Sequence, residues 1–221
     1  MTEAEWLTCD SPQRILDSLN LRTTTARKLR LFACACARWV WPVMPNAECE
    51  TAVESAERVA DKKRAKRSLT VAYKAARRWS LDFAREHPNH PRQFQTIALA
   101  DCCESSAYSA AQTTAMYAGM VIADGGTFAD TPTSRALAEL ARCVFGNPFR
   151  PVAFTPTWRT DTAVALARQM YDSRDFGAMP ILADALQDAG CENEDVLTHC
   201  RDANQIHARG CWVCDAVLGK A

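Results

Sequence analysis

Residues 23–42, TTTARKLRLFACACARWVWP, decide the fold class. Leu29, Phe32, Ala33, Cys36 and Val40 recur at steps of three and four, the spacing that gathers apolar side chains on one face of an α-helix. The threonines ahead of them offer N-cap hydroxyls. Pro42 and Pro45 end the helix, because a proline in a helix interior has no amide to donate and clashes with the turn before it.

The same period extends in both directions. Toward the N-terminus, Thr2 and Glu5 have capping-box spacing ahead of Trp6, and Ser11-Pro12 opens a short helix through Ile15, Leu16 and Leu19. Toward the C-terminus, Asn46 caps a helix carrying Ala52, Val53, Ala56 and Val59, and a further helix runs over about 68–86 with Val71, Ala72, Ala75, Trp79 and Phe83 inward. Residues 93–123 are rich in small side chains and read as one central helix, stopped by Asp124-Gly125-Gly126. Helices follow at about 134–145, 161–173, 179–189, 193–201 and 211–218. No segment alternates with period two over the length of a strand, so the expected fold is an all-α, multi-helix globular bundle.

Apolar residues make up 48% of the 221, enough for a substantial core, and 8 glycines with 10 prolines are too few for a disordered chain. The start MTEAEWL has no basic region followed by an apolar run, and no apolar run approaches the ~20 residues that span a bilayer. An odd count of eleven cysteines in such a chain reads as reduced thiols, so a cytoplasmic location is expected and no membrane partner. The zero net charge conceals an asymmetry. Residues 1–92 hold 17 Lys+Arg against 11 Asp+Glu, and residues 93–221 hold 9 against 15. The break at 87–91, HPNHP, is therefore expected to divide a basic lobe, 1–87, from an acidic lobe, 92–221, unless the two are one continuous domain.

Chemistry concentrates near the C-terminus, where Cys191, His199, Cys200, His207, Cys211 and Cys214 fall within the last 31 residues. Thiolates and imidazoles are the ligands of structural zinc, and four of them would have to converge. The spacing matches no common finger or ribbon. If 211–218 is a helix, Cys211, Cys214, Val217 and Leu218 share one face, and the sequence favours packed thiols over metal. A thiol nucleophile, Cys211 with His207 as base, is the enzymatic alternative. No P-loop, no GxGxxG, no HExxH and no GxSxG accompany it, so no catalytic residue is assigned.

Two further segments are candidate binding elements. The basic stretch that includes Arg64, Arg67, Arg77 and Arg78, with Tyr73 and Trp79 nearby, has the residue types that contact phosphates and stack on bases. The balanced chain favours a solvated helix face instead. The proline-framed loop with Phe149 and Arg150 could meet a partner. Its restricted backbone leads to the expectation that Arg150 is partly buried against Asp184 or Asp188.

The segments MTEAEWL at 1–7, RKLRLFAC at 27–34, FGNPFRP at 145–151, PILADAL at 180–186 and GCWV at 210–213 resemble a large paralogous family of uncharacterised planctomycete bacterial proteins. In that family an aliphatic residue usually stands where this chain has Cys214. The resemblance implies a cytosolic bacterial module present in many copies. Such a module suits an interaction or adaptor role, with another protein as partner, better than catalysis. No cofactor is expected beyond a structural zinc at the C-terminal set, and nucleic acid is the second choice of partner.

Overall fold

The computed structural model describes residues 1–20, 24–43, 46–61, 66–90, 92–120 and 132–220. It is all-α: every regular element among the described residues is helical. Contacts divide the chain into two compact units, Met1–Ala141 and Arg142–Ala221.

The first unit holds α1 (Glu3–Thr8), α2 (Pro12–Ser18), α3 (Ala26–Val40), α4 (Ala47–Asp61), α5 (Lys66–Glu86), α6 (Gln93–Asp101), α7 (Ala107–Met120) and most of α8 (Pro132–Phe145). The caps read from sequence form as expected. Thr2 and Glu5 make both bonds of a capping box, and Ser11, Thr25 and Asn46 each accept an amide of the first turn that follows. At its centre α3 packs on α4, α6 and α7. The sequence predicts one apolar face for it, but ten of its fifteen residues are buried. The small side chains of Ala33, Cys34, Ala35, Cys36 and Ala37 let neighbours approach from several sides. Ion pairs fasten α3 to α4 near both ends: Arg27 to Asp61 at 3.2 Å, and Arg38 to Glu57 through two bonds of 2.7 and 3.2 Å.

Buried Arg30 explains a departure from the sequence reading. Its guanidinium donates to the carbonyls of Cys102 at 2.9 Å and Ser105 at 3.1 Å. Those carbonyls belong to a turn that splits the single helix expected over 93–123 into α6 and α7, and Ser106 caps the second piece. The glycine stop at 124–126 and Pro45 lie outside the described residues.

The expected division at 87–92 also changes place. His87 and His90 close on Phe83, with ring centroids 4.8 and 5.5 Å away, and the Ser80 and Thr96 hydroxyls meet at 2.7 Å. These contacts fold α6 back on α5, so the break is a hairpin within the first unit, and the division falls at 141/142.

The second unit comprises the end of α8, α9 (Asp161–Ser173), α10 (Met179–Asp188), α11 (Glu194–Arg201) and α12 (Trp212–Leu218). Its core includes Met170, Met179, Leu182, Leu186, Val196 and Val217. Thr160 and Asn193 cap α9 and α11. Gly190, at φ +85°, turns the chain after α10 so that the Cys191 amide reaches back to the Leu186 carbonyl at 2.9 Å. No helix among the described residues is long and apolar enough to cross a membrane.

Two stability measurements test this account. Replacing Arg30 by Met leaves the two turn carbonyls without their donor, and the urea midpoint should fall by the equivalent of about 2–4 kcal/mol. Asp101 is buried, which pushes its carboxyl up to about 6; Arg77 opposes the shift and Glu104 reinforces it. That value lies above the unfolded one near 3.9, so folding takes up a proton between about pH 4 and 6. The carboxyl's contribution is therefore present at low pH and lost as pH rises through about 6. Asp101→Asn should be more stable than the natural chain at pH 7 by about 1–3 kcal/mol, and denaturant titrations should show that advantage shrinking toward pH 4.

Candidate metal centre

Four side chains of the second unit converge: Cys143, His199, His207 and Cys211 place one ligand atom each within 4.8 Å of all the others. Cys143 sits in the last turn of α8, His199 on α11, His207 in the loop 202–210, and Cys211 just ahead of α12. The Nε2 of His199 is 3.2 Å from the Cys211 Sγ, and the Cys143 Sγ is 3.8 Å from His207 Nδ1. The two imidazoles meet edge to face at 4.9 Å. Zinc bonds of about 2.0–2.3 Å imply tetrahedral edges of about 3.3–3.8 Å, so these separations are those of a set that can close on a metal ion.

Local backbone geometry delivers the ligands. Gly146 ends α8 at φ +69°, and a Cβ there would stand 3.2 Å from Trp212 Cγ. The end of α8 and the start of α12 thus approach to the limit that a glycine permits, which brings Cys143 toward Cys211. Gly210 at φ +97° turns the chain into Cys211, whose backbone is extended while its successors are helical. This reorients Cys211 relative to Cys214. Both cysteines are buried and α12 docks on α9 and α11, with Trp212 5.3 Å from His199.

Electrostatics sets Cys211 apart. Burial alone would raise its pKa, yet hydrogen bonds from the Cys143 and Cys214 thiols, together with the charge and hydrogen bond of His199, hold it well below the usual thiol range. The neighbours go the other way. Cys214 is raised by its bond to Cys211 and by burial, and burial raises Cys200. In the first unit, burial likewise raises Cys36 and pushes Cys49 up to about 12.

Three of the six predicted ligands, His199, His207 and Cys211, belong to the converging set, and Cys191, Cys200 and Cys214 do not. The latter are core thiols, as the packed-thiol reading has it; the Cys214 Sγ lies 3.7 Å from the Met179 sulfur. The C-x-x-C pair is split because one member precedes the helix and the other lies on its buried face. Cys143 was missed. It lies 56 residues before His199, and no ligand spacing points to it. The nearest signal is the Gly146-Asn147-Pro148 turn that follows it, a rigid element in search of a close neighbour. As for the nucleophile reading, the imidazole at the Cys211 sulfur is His199 and not the expected His207, and the sulfur has no exposed surface.

The other binding candidates stay apart from this centre. Arg64 lies outside the described residues; Arg67 and Arg78 are exposed on α5, and Arg77 is half-buried. Phe149 is 44% exposed and Arg150 is exposed, so the expected part-burial of Arg150 is not found. The Asn147 side chain accepts the Phe149 amide at 2.9 Å and forms a turn in which residues 148–150 face outward. Asp184 accepts from Arg201 at 2.7 Å.

Gly146→Ala tests the close approach. A left-handed backbone carrying a Cβ against Trp212 should cost about 2 kcal/mol or more, read as a lower melting temperature with secondary structure retained at 20 °C. No family model, curated protein or solved structure matches this chain.

Proposed function

We propose that this chain is an all-α interaction module without catalytic activity of its own, and that its C-terminal unit is clamped by a structural zinc ion on Cys143, His199, His207 and Cys211. The observation that carries the reading is the convergence of two thiols and two imidazoles from four separate segments within 4.8 Å. Four protein ligands complete a tetrahedron and leave no position for water or substrate, the property that separates structural from catalytic zinc. Cys211 is fully buried and held below the usual thiol range, and a divalent ion is the positive charge that would compensate a sulfur ligand there. The unit is only 80 residues long, a size at which a metal clamp adds materially to a small core.

The His199–Cys211 contact at 3.2 Å supports one rival, a thiolate–imidazolium pair of an enzyme. Full burial of the sulfur weighs against it, because a nucleophile needs an approach path.

Metal analysis of the purified full chain should find one zinc per molecule. Cobalt substitution should give the absorption of a tetrahedral thiolate site. A strong chelator should lower the melting temperature of the second unit, since binding energy is folding energy when ligands come together only in the fold. Cys143→Ala and His207→Ala should lose the metal, whereas Cys214→Ala should keep it. Metal-free protein whose stability ignores chelator, with Cys211 rapidly alkylated, would sink the proposal in favour of the thiol enzyme.

A further inference from the structure

The outer face of α5 carries a feature that the metal centre does not use. Arg67, Val71, Lys74, Arg78, Leu81 and Arg85 are spaced four, three, four, three and four apart, and all six are exposed. Val71 is 64% exposed and Leu81 55%. On a helix this spacing forms one straight stripe about 27 Å long. It is the seam that another helix occupies in a coiled coil.

Its chemistry is specific. Four of the six residues are cations and none is a carboxylate. Arg85 engages Asp82 at 2.9 Å. A groove lies along each flank, of about 480 and 450 Å³, and both are walled by Lys74, Arg78 and Asp82, so the two share two cations and one carboxylate. The first is completed by Tyr73, Arg77, Leu81 and Arg85, the second by Glu48, Ala75 and Trp79.

We infer that this stripe docks an acidic amphipathic helix of a partner protein, with aliphatic residues on Val71 and Leu81 and carboxylates on Lys74, Arg78 and Arg85. The inference rests on the interaction half of the proposed function and names its partner by class. Charge complementarity selects the sign of the partner. The aliphatic positions select protein over nucleic acid, because phosphates gain nothing from an exposed valine and leucine. Bases would need open aromatic faces, and Trp79 and Tyr73 are half-buried, with Trp79 against Phe83 at 5.9 Å.

The test uses the full chain and a fluorescent synthetic helix of 21 residues, with leucines in one stripe flanked by glutamates. The controls are the same peptide with lysine for glutamate and a 20-nucleotide oligo-dT. Anisotropy should show the acidic peptide binding, more weakly as salt rises, and the lysine peptide not binding. Lys74→Glu with Arg78→Glu should weaken it at least ~10-fold, and Leu81→Ser should weaken it with the salt dependence intact. Both variants change only exposed positions, and circular dichroism verifies that they fold. Oligo-dT binding as tightly and displacing the peptide would overturn the inference in favour of a phosphate-reading face. No peptide binding, or binding indifferent to the charge reversal, would overturn it as well. Zinc content of the same samples separates the two readings: a zinc-loaded chain that ignores the peptide loses the docking surface and keeps the metal clamp.

Discussion

A sulfur with no exposed surface, drawn toward its charged form, needs positive charge beside it, and Cys211 imposes that demand on the second unit. His199 answers from α11 at 3.2 Å, and His207 and Cys143 complete the surround from a loop and from the end of α8. Each contributing segment is held by a separate local device. Gly146 and Gly210 supply left-handed turns, Asn193 caps the helix that carries His199, and Trp212 wedges between the end of α8 and His199. Outside the cluster the unit is closed at the C-terminus by Tyr171, which has the Arg209 guanidinium 4.5 Å and the Lys220 ammonium 3.7 Å from its ring centroid.

The first unit solves a different problem with different means. Its central helix α3 itself carries small residues on several sides, so neighbouring backbones come close and their polar groups need partners inside. Arg30 serves two turn carbonyls, the Cys103 thiol lies 2.9 Å from the Ala52 carbonyl, and Ser80 pairs with Thr96. Cysteine here is a small, weakly polar filler, and burial raises the thiol pKa at Cys36 and Cys49. In the second unit burial raises Cys200 in the same way, and Cys211 differs from it because hydrogen bonds from the Cys143 and Cys214 thiols, together with His199, outweigh burial.

Within the first unit some cations are paired with carboxylates and others line an exposed helix face. In the first unit Arg27, Arg38 and Arg135 are engaged by Asp61, Glu57 and Asp10. The cations along the outer face of α5, of which Arg85 is paired with Asp82, lie beside the exposed side chains of Val71 and Leu81. This arrangement gives a chain of zero net charge one face with a definite sign.

The helices and most of their ends are legible in the order of residues along the chain. Period and caps are local: Thr25 reaches its amide three residues on, and Leu29, Phe32 and Cys36 share a face whatever lies opposite. The candidate ligands His199, His207 and Cys211 were legible for the same reason, since they cluster along the chain. The rest is set by contacts between segments far apart along the chain. The break between α6 and α7 depends on a guanidinium 72 residues away from the Cys102 carbonyl that it binds. The choice of Cys143 over Cys191, Cys200 and Cys214 depends on how closely α8 meets α12 across Gly146, and nothing in the spacing of residues along the chain encodes that distance. A thiol becomes a ligand or a core filler according to where its Cβ points, and a buried side chain takes that direction from its neighbours in space.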